Sequence, residues 1–158
     1  MIDKNHPLNH EENNEKFKIN VGYFHSIKIT EVRGERGTGK TKLMLKSFLY
    51  DFMNNIEESS SYLVTTNQRI ADYFLTSIRD MIYPLYEDNL PVLSKVEKIL
   101  RSRIITLSVI DRGDRLRGLK VDNVYVDPAD FMSYIEILQL LEHLNIAKVK
   151  NVNFFRTN

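Results

Sequence analysis

The chain has 158 residues, 42% of them hydrophobic, which suits one domain with a real core. It contains no cysteine, so disulfides, thiolate metal sites and cysteine nucleophiles are excluded, and a reducing, cytoplasmic setting is expected. With 22 basic and 21 acidic residues the net charge is +1, so this is not a globally basic nucleic-acid binder and any such contact must be local. No apolar run reaches the length of a membrane span, the N-terminus shows no signal-peptide pattern, and no membrane partner is expected. His6, His10, His25 and His143 lack metal-ligand spacing on a common face and read as surface or packing residues.

Residues 1–16 are polar and Asn/Glu-rich, with Pro7, and read as a flexible arm ahead of a single domain over 17–158. Alternation of Phe17, Ile19, Val21 and Tyr23 predicts a first strand, and Ile27 to Val32 a second. A helix follows over about 40–56, with Leu45, Leu49, Phe52 or Met53, and Ile56 at helical spacing. Tyr62 to Thr66 reads as a short strand. Ile70, Phe74, Ile78 and Met81 or Ile82 share a face of the next helix, which Tyr83-Pro84 is expected to end. Pro91 opens a third helix to about Arg101, burying Leu93, Val96 and Leu100. Strands are expected over 104–110 and 121–127, an amphipathic helix over 130–144 with its apolar face at 131, 134, 135, 138 and 141, and a last strand over 152–155. Strands alternating with helices imply a mostly parallel sheet flanked by helices on both faces, a three-layer α/β fold.

The densest chemistry lies in Gly34-Glu35-Arg36-Gly37-Thr38-Gly39-Lys40-Thr41, which meets every fixed position of the phosphate-loop pattern G-x-x-x-x-G-K-[ST]. Glycines let the backbone wrap a polyphosphate with its N–H groups pointing inward. Lys40 would reach the β/γ-phosphates, the Thr41 hydroxyl would ligate Mg²⁺, and the helix that begins there adds its positive end. The strand before the loop and the helix after it are the context the motif requires; the alternative is an ordinary Gly-rich turn.

Such a loop needs an acidic partner at the end of a neighbouring apolar strand. Asn123-Val124-Tyr125-Val126-Asp127 supplies one, and in open α/β sheets ligands bind at that carboxyl edge. Between the two preceding strands, Arg112, Arg115, Arg117 and Lys120 form a basic patch on a loop that also carries Asp111 and Asp114. It suits a DNA phosphate backbone, an arginine offered to a neighbouring subunit, or simply a solvated loop.

Residues 35–41 resemble the "GGRGSGKS" loop of the DNA-packaging ATPases of tailed phages, the terminase large subunits. The segment Leu116 to Asp127 is similar to their "RG…hhhhDE" stretch, Tyr62 to Ala71 to their second strand and following helix, and Phe154 to Asn158 to their coupling motif. The likeness spans about 27–158. It implies a P-loop NTPase of RecA-like topology that binds ATP and Mg²⁺ and acts on double-stranded DNA with other subunits of a viral motor, in a homo-oligomeric ring, in the host cytoplasm. Lys40, Arg36, Asp127 and Asp130 are the candidate catalytic residues. Arg36 would contact the γ-phosphate in cis, unless it is a solvent-exposed loop charge, and Thr157 and Asn158 would couple phosphate loss to movement, unless the chain end frays.

Two departures qualify this. The family places a catalytic Glu directly after the strand carboxylate, and here that position is Pro128, with neither carboxylate nor N–H. Asp130 lies two residues on, where it either reaches the site or stabilises the start of the 130–144 helix; Glu136 is a poor substitute. The chain also stops where terminases continue into a nuclease domain. A hydrolysis-deficient nucleotide-binding module is therefore the first alternative, and a small-molecule or nucleoside kinase the second.

Overall fold

The computed structural model describes residues 3–107, 120–127 and 129–158, and of Phe131 the backbone alone. The elements are a 3-10 turn Pro7–Asn9, α1 Glu12–Lys16, β1 Lys18–Phe24, β2 Ile27–Gly34, α2 Lys40–Asn54, β3 Ser61–Thr65, α3 Gln68–Tyr86 and α4 Leu90–Ser102. They continue with β4 Ile104–Thr106, β5 Asn123–Val126, a 3-10 turn Ala129–Phe131, α5 Tyr134–Ile146 and β6 Asn151–Thr157. Among the described residues the strands form one six-stranded sheet in the order β1-β2-β6-β5-β3-β4. β1 runs antiparallel to β2, and every other pairing is parallel.

The antiparallel pair closes through the two residues between Phe24 and Ile27, with His25 in the left-handed region at φ 54°. Parallel neighbours need long crossovers, and the helices provide them. Alternation along each inner strand sorts side chains to the two faces. Val124 and Val126 of β5 join Val152 and Phe154 of β6 against Leu140, Leu141 and Leu144 of α5. Tyr125 and Phe155, one residue out of step, face Phe48 and Phe52 of α2 with Phe74 and Ile78 of α3. Both sheet faces are thus covered, which is why these strands are apolar on both sides. Phe48, Phe52 and Phe155 are fully buried, and truncating any one to Ala would cost about 3–5 kcal/mol.

Four elements differ from their sequence reading. Residues 3–16, expected as a flexible arm, carry the first 3-10 turn and α1 and lie against α2, tied by polar contacts that hydropathy does not register. Tyr50 donates to Asp3 Oδ2 at 2.8 Å, and His6 Nε2 stands 3.2 Å from both Asp51 Oδ1 and the Tyr125 hydroxyl. α3 runs past Pro84 to Tyr86, because a proline in the last turn removes a single ladder bond. β4 pairing stops at Thr106, and positions 108–110 of the expected strand lie outside the described residues.

The fourth difference is α5. It starts at Tyr134, where Ser133 and Glu136 form a reciprocal capping box, and not at Asp130. Its buried residues are Leu140, Leu141 and Leu144, whereas Tyr134 and Ile135, assigned to the core face from the sequence, are 80% and 66% exposed. Apolar residues occur on almost every side of this helix, so periodicity alone cannot choose the face that packs.

Candidate functional site

β6 lies between β2 and β5, so their carboxyl ends reach the same edge of the sheet. Gly34 at the end of β2 pairs with Thr157 at the end of β6, and β5 ends just before Asp127. The loop from Gly34 to Lys40 leaves that edge and turns into α2.

The loop's shape follows from its glycines. A Cβ on Gly34 would come within 2.7 Å of the Phe17 ring and 3.1 Å of Thr38 Oγ1, so no larger residue fits without displacing the ring. Gly37 and Gly39 sit at φ 79° and 85°, a region that side chains disfavour. Thr38 donates to the Glu35 carbonyl at 2.7 Å and braces the turn. Gly39 is the N-cap of α2, with no side chain closing the helix end. The first amides of α2 are therefore left without a side-chain cap, at the positive end of its dipole. Glu35, Arg36, Gly37 and Gly39 are exposed.

Lys40 and Thr41 emerge from the first turn of α2 toward the sheet edge. Lys40 Nζ donates to Thr157 Oγ1 at 2.8 Å. The Thr41 hydroxyl donates to Asp127 Oδ2 at 3.3 Å. Asp127 is buried, and its backbone N–H bonds the Val64 carbonyl at 3.2 Å, which locks the strand end to β3. Burial pushes its carboxyl up to about 6, against the opposing pull of the Thr41 hydroxyl and the Lys40 charge, while Asp130 adds a smaller upward push. A hard cation prefers oxygen donors, and Thr41 Oγ1 with Asp127 Oδ2 forms such a pair at the loop mouth. Among the described residues no group of three or more His, Cys, Asp or Glu is assembled for a metal.

Asp130, on the 3-10 turn after β5, is not the helix cap; it grips the end of β6. Its Oδ1 accepts the Thr157 N–H at 2.8 Å and its Oδ2 accepts the Thr157 hydroxyl at 2.7 Å. Asn158 lies against the loop: its N–H bonds the Gly34 carbonyl at 3.1 Å and its side chain donates to Glu35 Oε1 at 3.3 Å. Of the basic patch, Arg112, Arg115 and Arg117 lie outside the described residues, as does Pro128. Lys120 is exposed and near Asp122 at 4.0 Å, before the start of β5. It therefore lies a strand length away from the Gly34–Lys40 loop and is not brought to it.

The sequence reading missed a charged group beside the site. Glu31 bonds Arg33 at 2.6 Å and lies 3.7 Å from Arg156, and the Arg33 guanidinium is held above its usual range mainly by Glu31, with a smaller contribution from Asp130. Polar residues two apart at the end of a strand that feeds a motif were the available signal. Among the described residues, cavities of about 280 and 580 Å³ open at the opposite edge of the sheet, around Lys28, Asn151 and His6 and around Ser60, Arg103 and Lys120 respectively.

Comparison with protein-family models, with curated proteins and with solved structures returns no match. The fold stands as an α/β arrangement with a mostly parallel central sheet, and no helix among the described residues is long and apolar enough to cross a membrane.

Proposed function

We propose that the chain is a P-loop ATPase core of the DNA-packaging type, binding ATP·Mg²⁺ and coupling it to movement of double-stranded DNA alongside other motor subunits. The observation that carries this reading is the convergence of Lys40, Thr41 and Asp127 at one sheet edge, with the Thr41 hydroxyl 3.3 Å from Asp127 Oδ2. Loop amides and the α2 N-terminus would receive the polyphosphate, and Lys40 would neutralise its terminal charges. Thr41 and Asp127 would hold Mg²⁺, which when bound screens the β- and γ-oxygens. Arg36, exposed on the loop, is free to approach a γ-phosphate.

The test is an equilibrium titration of ATP·Mg²⁺ together with steady-state phosphate release, with and without double-stranded DNA. Micromolar binding that Lys40→Ala abolishes supports the reading, and absence of ATP binding by the wild-type chain sinks it. A second reading is favoured by Pro128: the same site used as a switching or structural ligand site without hydrolysis. Tight binding with no turnover, which Pro128→Glu then raises, selects that alternative.

A further inference from the structure

We propose that Asp130 is the positioning residue for Lys40, acting through the hydroxyl of Thr157. The proposal rests on the phosphate-site reading of Lys40. Both oxygens of Asp130 are spent on one residue: Oδ1 takes the Thr157 N–H at 2.8 Å and Oδ2 the Thr157 hydroxyl at 2.7 Å. An ionised carboxylate only accepts, so the single hydroxyl proton of Thr157 points at Asp130. Lys40 Nζ, 2.8 Å away on the other side, is an ammonium that only donates, so it meets the lone pairs of the same oxygen. The chain of bonds has one direction, from Lys40 to Thr157 to Asp130, and carries full charge at both ends, which strengthens each bond.

The relay is anchored by structure that does not depend on it. Thr157 is held in the ladder opposite Gly34, and the next residue bonds the Gly34 carbonyl at 3.1 Å. The end of α5 nearest Asp130 is capped by Ser133 and Glu136, so Asp130 is not occupied as an N-cap. A lysine stem is rich in rotamers, and ordering it on binding weakens affinity. Here the ammonium is already tethered beside the loop. In this arrangement Thr157 presents an acceptor to the site, so it reads the position of Lys40 and does not donate to a phosphate oxygen.

Asp130→Asn keeps size but puts an NH₂ where one oxygen accepted: it either faces the Thr157 N–H, donor to donor, or makes the Thr157 hydroxyl turn its proton away from residue 130 and accept instead. Thr157→Val removes the hydroxyl, and Thr157→Ser retains it. ATP·Mg²⁺ titrations should show about tenfold weaker binding for Asp130→Asn and for Thr157→Val, with the loss recovered by Thr157→Ser. The Asp130→Asn/Thr157→Val double variant should bind within about twofold of Thr157→Val alone, because both changes break one chain. Additive losses near a hundredfold, or wild-type affinity in Asp130→Asn, overturn the relay. A nucleotide-independent readout is the ¹⁵N NMR signal of the Lys40 ammonium, assigned with Lys40→Arg. It should be protected from exchange in the wild-type chain and lost in Thr157→Val; a signal unchanged in Thr157→Val overturns the relay. A protected signal in a protein that binds no ATP·Mg²⁺ overturns the nucleotide reading while leaving the side-chain relay standing.

Discussion

Asp127 carries the largest unresolved tension at the site. Its carboxyl rises from 3.8 to about 6 because burial outweighs the help from Thr41 and Lys40. Folding therefore favours the protonated form. The stability this group contributes is full below pH 4, declines as pH rises through about 6, and is flat beyond. The ionised carboxylate then costs the metal-free fold about 3 kcal/mol at neutral pH. Asp127→Asn should accordingly stabilise the metal-free protein by about 1–3 kcal/mol at pH 7.5, with the gain vanishing toward pH 4. Urea denaturation at the two pH values checks this, and an equal gain at both would refute burial as the cause. The same variant should lose Mg²⁺-dependent ATP binding. A residue that costs the fold stability but sits at the mouth of the loop fits a role in binding.

Gly37 makes the same point from the backbone. At φ 79° nothing lies within 4 Å of a Cβ built there, so any penalty of substitution is conformational and not steric. Gly37→Ala should destabilise by about 1 kcal/mol and weaken phosphate binding more than it shifts the melting temperature. A calorimetric scan beside an ATP titration measures both, and a change in melting alone would mean the loop shape serves only the fold.

At the scale of elements, what was legible depended on how one-sided the residues are. β2, the loop and α2 were readable because strand alternation, glycine spacing and helix periodicity succeed one another without overlap. The same is true of β3, with five buried residues in a row, and of α4, opened by Pro91. α5 was readable as a helix but not in phase, since Tyr134, Ile135 and Ile146 are apolar and exposed while Leu140 and Leu144 are apolar and buried. Asp130 was legible as a candidate for the site, but its pairing with Thr157 was not. Its contact with Thr157 spans 27 residues and depends on β6 lying beside β5, which leaves no local signal.

The N-terminal segment follows the same logic. Part of its hold on the domain is the cluster of His6, Asp51 and Tyr125, where the Tyr125 hydroxyl donates to Asp51 and His6 packs alongside. Tyr125 is pushed well above the usual phenol range, first by burial and then by the Asp51 charge, so it stays a donor through neutral pH. Tyr125→Phe removes that donor and leaves the Asp51 carboxylate short of a partner. It should cost about 1–3 kcal/mol and speed proteolysis before residue 17, measured by limited digestion and mass spectrometry. Unchanged cleavage there would show that the segment is held by other contacts.

For the whole molecule, the decisive feature is the place of β6. A strand that closes the chain is inserted between the strand bearing the loop and the strand bearing Asp127, in the order β2-β6-β5. Ligand contacts to Lys40, Thr41 and Asp127 would therefore tie the C-terminal strand into the centre of the sheet. Binding to the folded state alone stabilises it by about 2.7 kcal/mol at a hundredfold excess over Kd. For a chain of this size that corresponds to a rise in melting temperature of roughly 5–10 °C. ATP·Mg²⁺ should produce that rise in the wild-type chain, with none in Lys40→Ala, and amide exchange should slow most in β6 and in the first turn of α2. Slowing confined to α2, with β6 unaffected, would mean that the loop binds phosphate without engaging the strand beside it. The route from nucleotide to the rest of the molecule would then have to leave the site through α2 and not through Thr157.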